Sequence, residues 1–279
     1  MEYFITNEQI TAFGGWLKAT GHASGTVEKY LRDVRAFALW LGGRSVTKER
    51  VLAWREQLLT QYKPVTINSM LAAAGSFFCF CGRPECKVSF LKIQRQLFRD
   101  TSRELTRSDY ERLLRTARAL GQERLALLME TIGSTGIRVS ELRYITVETA
   151  KRGRAEITLK GKIRSILLPT KLCRKLLQYA RRRMITAGEI FLAEGGKPLS
   201  RRQIWSDMKR LSTAAGVDRS KVFPHNLRHM FAVVFYRSCR DVALLSDVLG
   251  HSSIETTRIY LLTTGEEHRR QLDRLGLVL

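Results

Sequence analysis

A chain of 279 residues is long enough for two compact domains, each with its own core. Its 48 lysines and arginines against 26 acidic residues give a formal charge of +22, far more than solubility needs, so a polyanion is the expected partner. The start, MEYFITNEQITAFGGWLK, lacks the pattern of a secretion signal, and no stretch approaches the roughly 20 apolar residues of a membrane span, so a cytoplasmic, nucleoid-associated location is expected.

In chain order, the first elements read as helices. Residues 6–20 have helical spacing, and 24–42 repeat it with Val27, Tyr30, Leu31, Val34, Phe37, Ala38 and Leu41 on one face. Ser24 is expected to cap that helix and Gly42 to stop it. Residues 47–59 turn Val51, Trp54 and Leu58 inward, and 65–81 do so with Ile67, Met70, Leu71, Ala74, Phe77 and Phe78. The cysteines of FFCFCGRPEC, with Cys173 and Cys239, make an odd set of five without framework spacing. A structural zinc site wants four ligands, and no partner pair follows, so buried, reduced thiols are the expectation.

Helical periodicity lapses in the basic stretch from Ser89 to Glu104, and a linker is placed at 92–104, between domains at 1–91 and 105–279. Lys92, Arg95, Arg99 and Arg103 suit either a phosphate backbone or a solvated charge run. Thr106 and Asp109, at capping-box spacing, start the next helix at about 107–119, followed by 121–134. Then AEITLKGKIRSILLP reads as a β-hairpin with Gly161 in the turn, the one convincing sheet in a mainly α chain. Helices resume at about 170–184, 200–215, 226–239, 241–249 and 253–262, the last with Ser252 and Glu255 at capping spacing. A tail helix ends in an apolar patch of Leu272, Leu275, Leu277, Val278 and Leu279.

Three segments have the look of site elements: TGIRVSEL at 135–142, HNLRHMFA at 225–232 and LGHSSIETTRIY at 249–260. Singly, each has a plain reading. Arg138 pairs with Glu141 on a surface, His225 and His229 cap neighbours, and Tyr260 is a half-buried ring. His225 and His229 also sit four apart, as zinc ligands do on a helix, but HNLRH lacks the glutamate of HExxH and a third ligand, so neither metal nor cofactor is expected.

Together, in order and spacing, the three segments resemble the tyrosine recombinase family, also called phage integrase or Xer-like, strongly over 105–262 and weakly before that. The resemblance implies an N-terminal helical core-binding (SAM-like) domain and a C-terminal α+β catalytic domain. It assigns Arg138 as first catalytic arginine, His225 and Arg228 as the pair of the His-x-Leu-Arg-His motif, His251 as the next histidine and Tyr260 as nucleophile. Lys160 takes the place of the hairpin lysine. It further implies cleavage of double-stranded DNA at attachment or recombination sites, a 3′-phosphotyrosyl intermediate, and a homotetramer on two DNA sites with the C-terminal tail exchanged between protomers. Integration and excision of a mobile element is the expected role.

The chemistry suits those residue types. Attack on a phosphodiester builds negative charge on nonbridging oxygens, which two permanently ionised arginines can hold. A tyrosine hydroxyl, ordinarily near pKa 10, needs a base, for which His225 is placed with help from His251. Lys160 would protonate the departing 5′ hydroxyl, with Lys162 as the alternative, and Glu141 would orient an arginine or histidine. Twelve basic residues against one acid between 151 and 183, including Arg152, Arg154, Lys162 and Arg164, suggest a phosphate-tracking face. A type IB topoisomerase uses related chemistry without synapsis, and a regulator that kept the fold but lost catalysis would leave the six positions without a use.

Overall fold

The computed structural model describes residues 2–93, 102–159, 162–193, 195–251, 253–260, 269–270 and 273–275, with the backbone alone at Leu159 and Lys162. The chain divides into two compact units, residues 1–95 and 96–279.

The first unit is four helices: α1 (Asn7–Ala19), α2 (Ser24–Leu41), α3 (Lys48–Leu59) and α4 (Pro64–Phe80). Thr6 caps α1 in a full capping box with Gln9, and Thr47 caps α3. At α2 the cap position falls to Ala23, which offers no side-chain acceptor, so Ser24 is the first helical residue rather than the cap. Gly42 ends α2 in the left-handed conformation, as its lack of a Cβ allows. Pro64 opens α4, where its missing N–H removes nothing the helix needs. The helices bury Phe13, Phe37, Phe77 and Phe78 among one another, with Phe13 edge-on to Phe77 at 5.3 Å and Phe37 edge-on to Phe78 at 5.7 Å. Truncating any one of these rings would cost about 3–5 kcal/mol.

The second unit is built around α6 (Glu123–Thr135), which buries residues on every side and is therefore a central helix. Against it pack α5 (Arg107–Ala119), α8 (Thr170–Arg182), α9 (Arg201–Ala214) and α10 (Pro224–Cys239), while α7 (Val147–Arg152) packs on α8; α11 (Val242–Leu249) and α12 (Ile254–Arg258) follow α10. Thr106 and Asp109 form the capping box of α5. Strands β1 (Arg154–Leu159) and β2 (Lys162–Leu167) pair antiparallel, with Arg154 opposite Leu167 and Ile157 opposite Arg164. Pro224 starts α10 two residues earlier than the apolar pattern suggests and so puts His225 in its first turn. The helix expected over 253–262 is five residues long. Its cap is Ser253, and Tyr260 sits in the turn that closes behind it; Ser252 lies outside the described residues.

The thiols differ from expectation. All five are free, but only Cys86 and Cys173 are buried; Cys79 and Cys239 are exposed and Cys81 is intermediate. Cys79 follows Phe77 and Phe78 on α4 and is carried past the buried face by the helical turn. Among the described residues, no helix is long and apolar enough to cross a membrane.

Candidate active site

Four stretches meet in the second unit. Arg138 follows α6 at the head of a 3-10 turn over Val139–Tyr144. His225, Arg228 and His229 lie on α10, His251 follows α11, and Tyr260 follows α12. Gly136 makes the first of these possible. It ends α6 at φ 66°, and a Cβ there would run into the ring of Phe231 on α10. That contact lets α6 approach α10 closely enough for Arg228 Nη1 to donate to the Gly136 carbonyl.

The two arginines have different settings. Arg228 is 2% exposed, and its Nη2 donates to the Leu249 carbonyl at 2.8 Å and to His251 Nε2 at 2.9 Å. Burial first, then the neighbouring charge of Arg138, lowers its pKa to about 10, which leaves it charged at neutral pH. Arg138 keeps 40% of its side chain exposed. Its Nη1 donates to Glu141 Oε1 at 2.9 Å, its backbone N–H to Glu141 Oε2 at 2.7 Å, and its Nη2 to the Gly250 carbonyl at 3.4 Å.

For His251 and His225, burial and the neighbouring guanidiniums favour the neutral ring. A guanidinium only donates, so His251 Nε2 accepts from Arg228, and the ring proton sits on Nδ1, 2.8 Å from Thr257 Oγ1. Burial, then the charges of Arg228, Arg138 and Arg164, push the His251 pKa down to about 4. His225, in contrast, faces solvent, yet loss of hydration against the surrounding protein and the charges of Arg228 and Arg138 lower its pKa as well. Tyr260 is only 3% exposed. It packs with Ala232, Leu245 and Leu249, its ring stacked 6.1 Å from His251 and tilted 5.0 Å from His229.

Glu141 is the hub of the cluster. At 1% exposure it accepts from Arg138 on one oxygen and from Arg138 N–H and Arg164 on the other, with Arg164 Nη2 at 2.7 Å. Arg164, expected on the phosphate-tracking face, is therefore turned inward. Its side chain is 13% exposed and its Nη1 donates to the Leu249 carbonyl. Strand alternation was the available signal, because residues 164, 166 and 168 share a parity, and Ile166 and Leu168 are buried. Arg152 and Arg154 are exposed, as a phosphate-facing role needs. Lys160 lies outside the described residues, and for Lys162 only the strand backbone is described.

Sequence reasoning missed a second tie. His229 Nε2 lies 3.2 Å from Glu104 Oε1, and the Asn226 side chain donates to the carbonyls of Arg103 at 2.6 Å and Lys221 at 2.7 Å. Residues 103 and 104, placed in the linker, are thereby pinned to α10. Among the described residues, no group of three or more histidines, cysteines or acids is arranged to hold a metal.

Comparison with known proteins places this geometry in a family. The model of the phage integrase family matches residues 103–267, more than half of the chain. Tyrosine recombinase XerD of Xanthomonas axonopodis pv. citri is 31% identical over 90% of this chain and 91% of its own length. Tyrosine recombinase XerA of Pyrococcus furiosus is 27% identical over 99% and 97%. The crystal structure of a lambda integrase (75-356) dimer bound to a COC' core site shares the fold, at a TM-score of 0.73 and 16% identity over 93% of this chain and 96% of that one. A family match over most of the second unit, with relatives alongside nearly the whole length, makes the chain a member of the phage integrase family, the tyrosine recombinases.

Proposed function

We propose that this tyrosine recombinase breaks and rejoins double-stranded DNA at specific sites through a 3′-phosphotyrosyl bond to Tyr260. Arg138 and Arg228 take the nonbridging oxygens of the scissile phosphate, and the charge that grows there in the transition state is what they stabilise. His225, neutral and open to solvent, accepts the phenolic proton; His251 assists beside Arg228. Lys160 on the hairpin protonates the departing 5′ oxygen, with Lys162 as the alternative. The covalent bond conserves the phosphoester, so a 5′ hydroxyl of a second strand reverses the step without nucleotide hydrolysis.

The observation that carries this reading is the convergence of Arg138, Arg228, His251 and Tyr260, from positions up to 122 residues apart, into one hydrogen-bonded and stacked cluster. Residues 1–91 act as a helical core-binding domain that grips DNA with the basic linker and the exposed Arg152 and Arg154. The protein works as a homotetramer on two DNA sites, exchanging its C-terminal tail between protomers. Leu275 in that tail is 60% exposed, an apolar side chain suited to a neighbouring protomer; Leu272, Leu277, Val278 and Leu279 lie outside the described residues. Integration and excision of a mobile element, in the cytoplasm at the nucleoid, is the role that suits a likeness to lambda integrase.

The test is a nicked duplex of the recombination site, proposed from the genomic flanks of the gene. Incubation with the protein should give a slow-migrating covalent species on a denaturing gel, and Tyr260→Phe should abolish it. Specific binding of the duplex without any adduct, under conditions that assemble the tetramer, would refute the catalytic assignment.

A further inference from the structure

We infer that Arg164 is a positioning residue for the reaction, a third guanidinium that sits behind Arg138 and Arg228 and fixes how those two are presented to the phosphate. The inference rests on the reading of Arg138 and Arg228 as the phosphate clamp.

Arg164 spans two parts of the site that come from distant sequence. One nitrogen donates to Glu141 Oε2 at 2.7 Å, and the other to the Leu249 carbonyl, the same oxygen that accepts from Arg228 at 2.8 Å. A continuous path therefore runs from Arg138 through Glu141, Arg164 and the Leu249 carbonyl to Arg228. Its Nε is buried without a hydrogen-bond partner, an arrangement with no evident gain for folding alone. Burial also lowers the Arg164 pKa, with the Glu141 carboxylate opposing that effect. With 13% of its side chain exposed, against 40% for Arg138, it is poorly placed to meet DNA itself.

Its loss has a specific consequence. Glu141 Oε2 would be released from Arg164, and a two-pronged pairing with Arg138 would become available, turning donors of Arg138 from phosphate to carboxylate. The Leu249 carbonyl would lose one of its two guanidiniums, freeing Arg228 to shift. Lysine cannot replace this fork, because a single ammonium does not reach two acceptors in one plane. Gly250 shares the constraint. Its φ is 63°, and a Cβ there would run into Arg164 Cδ and Nη1. Three guanidiniums against one carboxylate also leave two positive charges in the cluster, the number that the clamp directs at the phosphate.

The test compares Arg164→Met and Arg164→Lys with Arg138→Ala on two nicked substrates: one with the natural scissile phosphate, the other with an uncharged methylphosphonate at that position. Cleavage rate at saturating protein, duplex affinity and thermal melting are measured for each. On the natural substrate, Arg164→Met should lose about 100-fold in cleavage rate, the scale of a catalytic group displaced by about an ångström. Affinity should stay within about 3-fold, and Arg164→Lys should recover little. On the methylphosphonate, where no charge awaits the clamp, the loss should shrink to below about 10-fold for both Arg164→Met and Arg138→Ala.

An equal loss on both substrates for Arg164→Met, with Arg138→Ala relieved, would leave Arg164 a structural residue and overturn the inference. So would full activity in Arg164→Lys. If Arg138→Ala is not relieved, the clamp reading itself fails and the inference falls with it. Should Arg164→Met not fold, Arg164→Lys carries the same comparison.

Discussion

Among the described residues, each unit buries one carboxylate almost completely, and the two are treated in opposite ways. Asp33 on α2, 2% exposed, has a single ionic partner, Arg32, whose side chain is 71% exposed, and its Oδ2 has no hydrogen bond. Glu141 has both oxygens occupied, by Arg138 and Arg164, in a network that continues into Arg228 and His251. A buried charge is costly to desolvate, and repays this only when partners converge on it with good geometry. Burial of a charge alone therefore does not mark a site in this chain; the number and origin of its partners does.

The largest effect is expected from Glu141→Leu. It strands two guanidiniums, one of them mostly buried, and should destabilise the second unit by about 3–5 kcal/mol in denaturant unfolding. A loss below about 1 kcal/mol would mean that the network contributes no more than a surface pair.

A smaller effect should appear with pH. The folded-state pKa of His251 is about 4, below its ordinary value of about 6.5. Between those values the unfolded chain binds a proton that the folded chain does not, so stability rises with pH across that window and its penalty is complete below about pH 4. The carboxylates also titrate there, which makes His251→Asn the necessary comparison. Melting temperature should fall less steeply from pH 7 to pH 4.5 in the variant than in the parent. Identical slopes would show that His251 takes up a proton freely and is not held neutral by burial and the guanidiniums beside it.

The smallest effect is expected at the other carboxylate. Asp33→Asn removes a buried charge with one weak, exposed partner and should stabilise the first unit by up to about 1 kcal/mol. Destabilisation by more than about 2 kcal/mol would place Asp33 in a network comparable to that of Glu141 and erase the contrast between the units.

The legible parts of the sequence were those where local pattern and final environment agree. The inward faces of α3 and α4 were read from 3.6-residue spacing, and Val51, Trp54, Leu58, Ile67 and Phe77 are buried as that spacing requires. The thiols were misread because cysteine's usual burial says nothing about which side of a helix Cys79 faces. Arg164 was misread for a related reason. Its charge suggested solvent, while its place in the strand, alternating with exposed Ile163 and Ser165, put it inside. The length of α12 and the tie between Glu104 and His229 were not legible at all, since the first depends on a turn closing on Thr257 and the second joins residues 125 apart.

The acceptors that anchor the arginines include three main-chain carbonyls, those of Gly136, Leu249 and Gly250. A carbonyl survives every side-chain replacement, so truncating Leu249 to alanine would leave this part of the site's wiring formally intact. Fragility is transferred to the path of the chain. Gly136 and Gly250 both turn through the left-handed region, and both lie where an added methyl group would strike a neighbour. Truncating the site's larger side chains to alanine would thus pass over much of what aims the guanidiniums, whereas the same alanine placed at either glycine would reach it, through the path of the backbone.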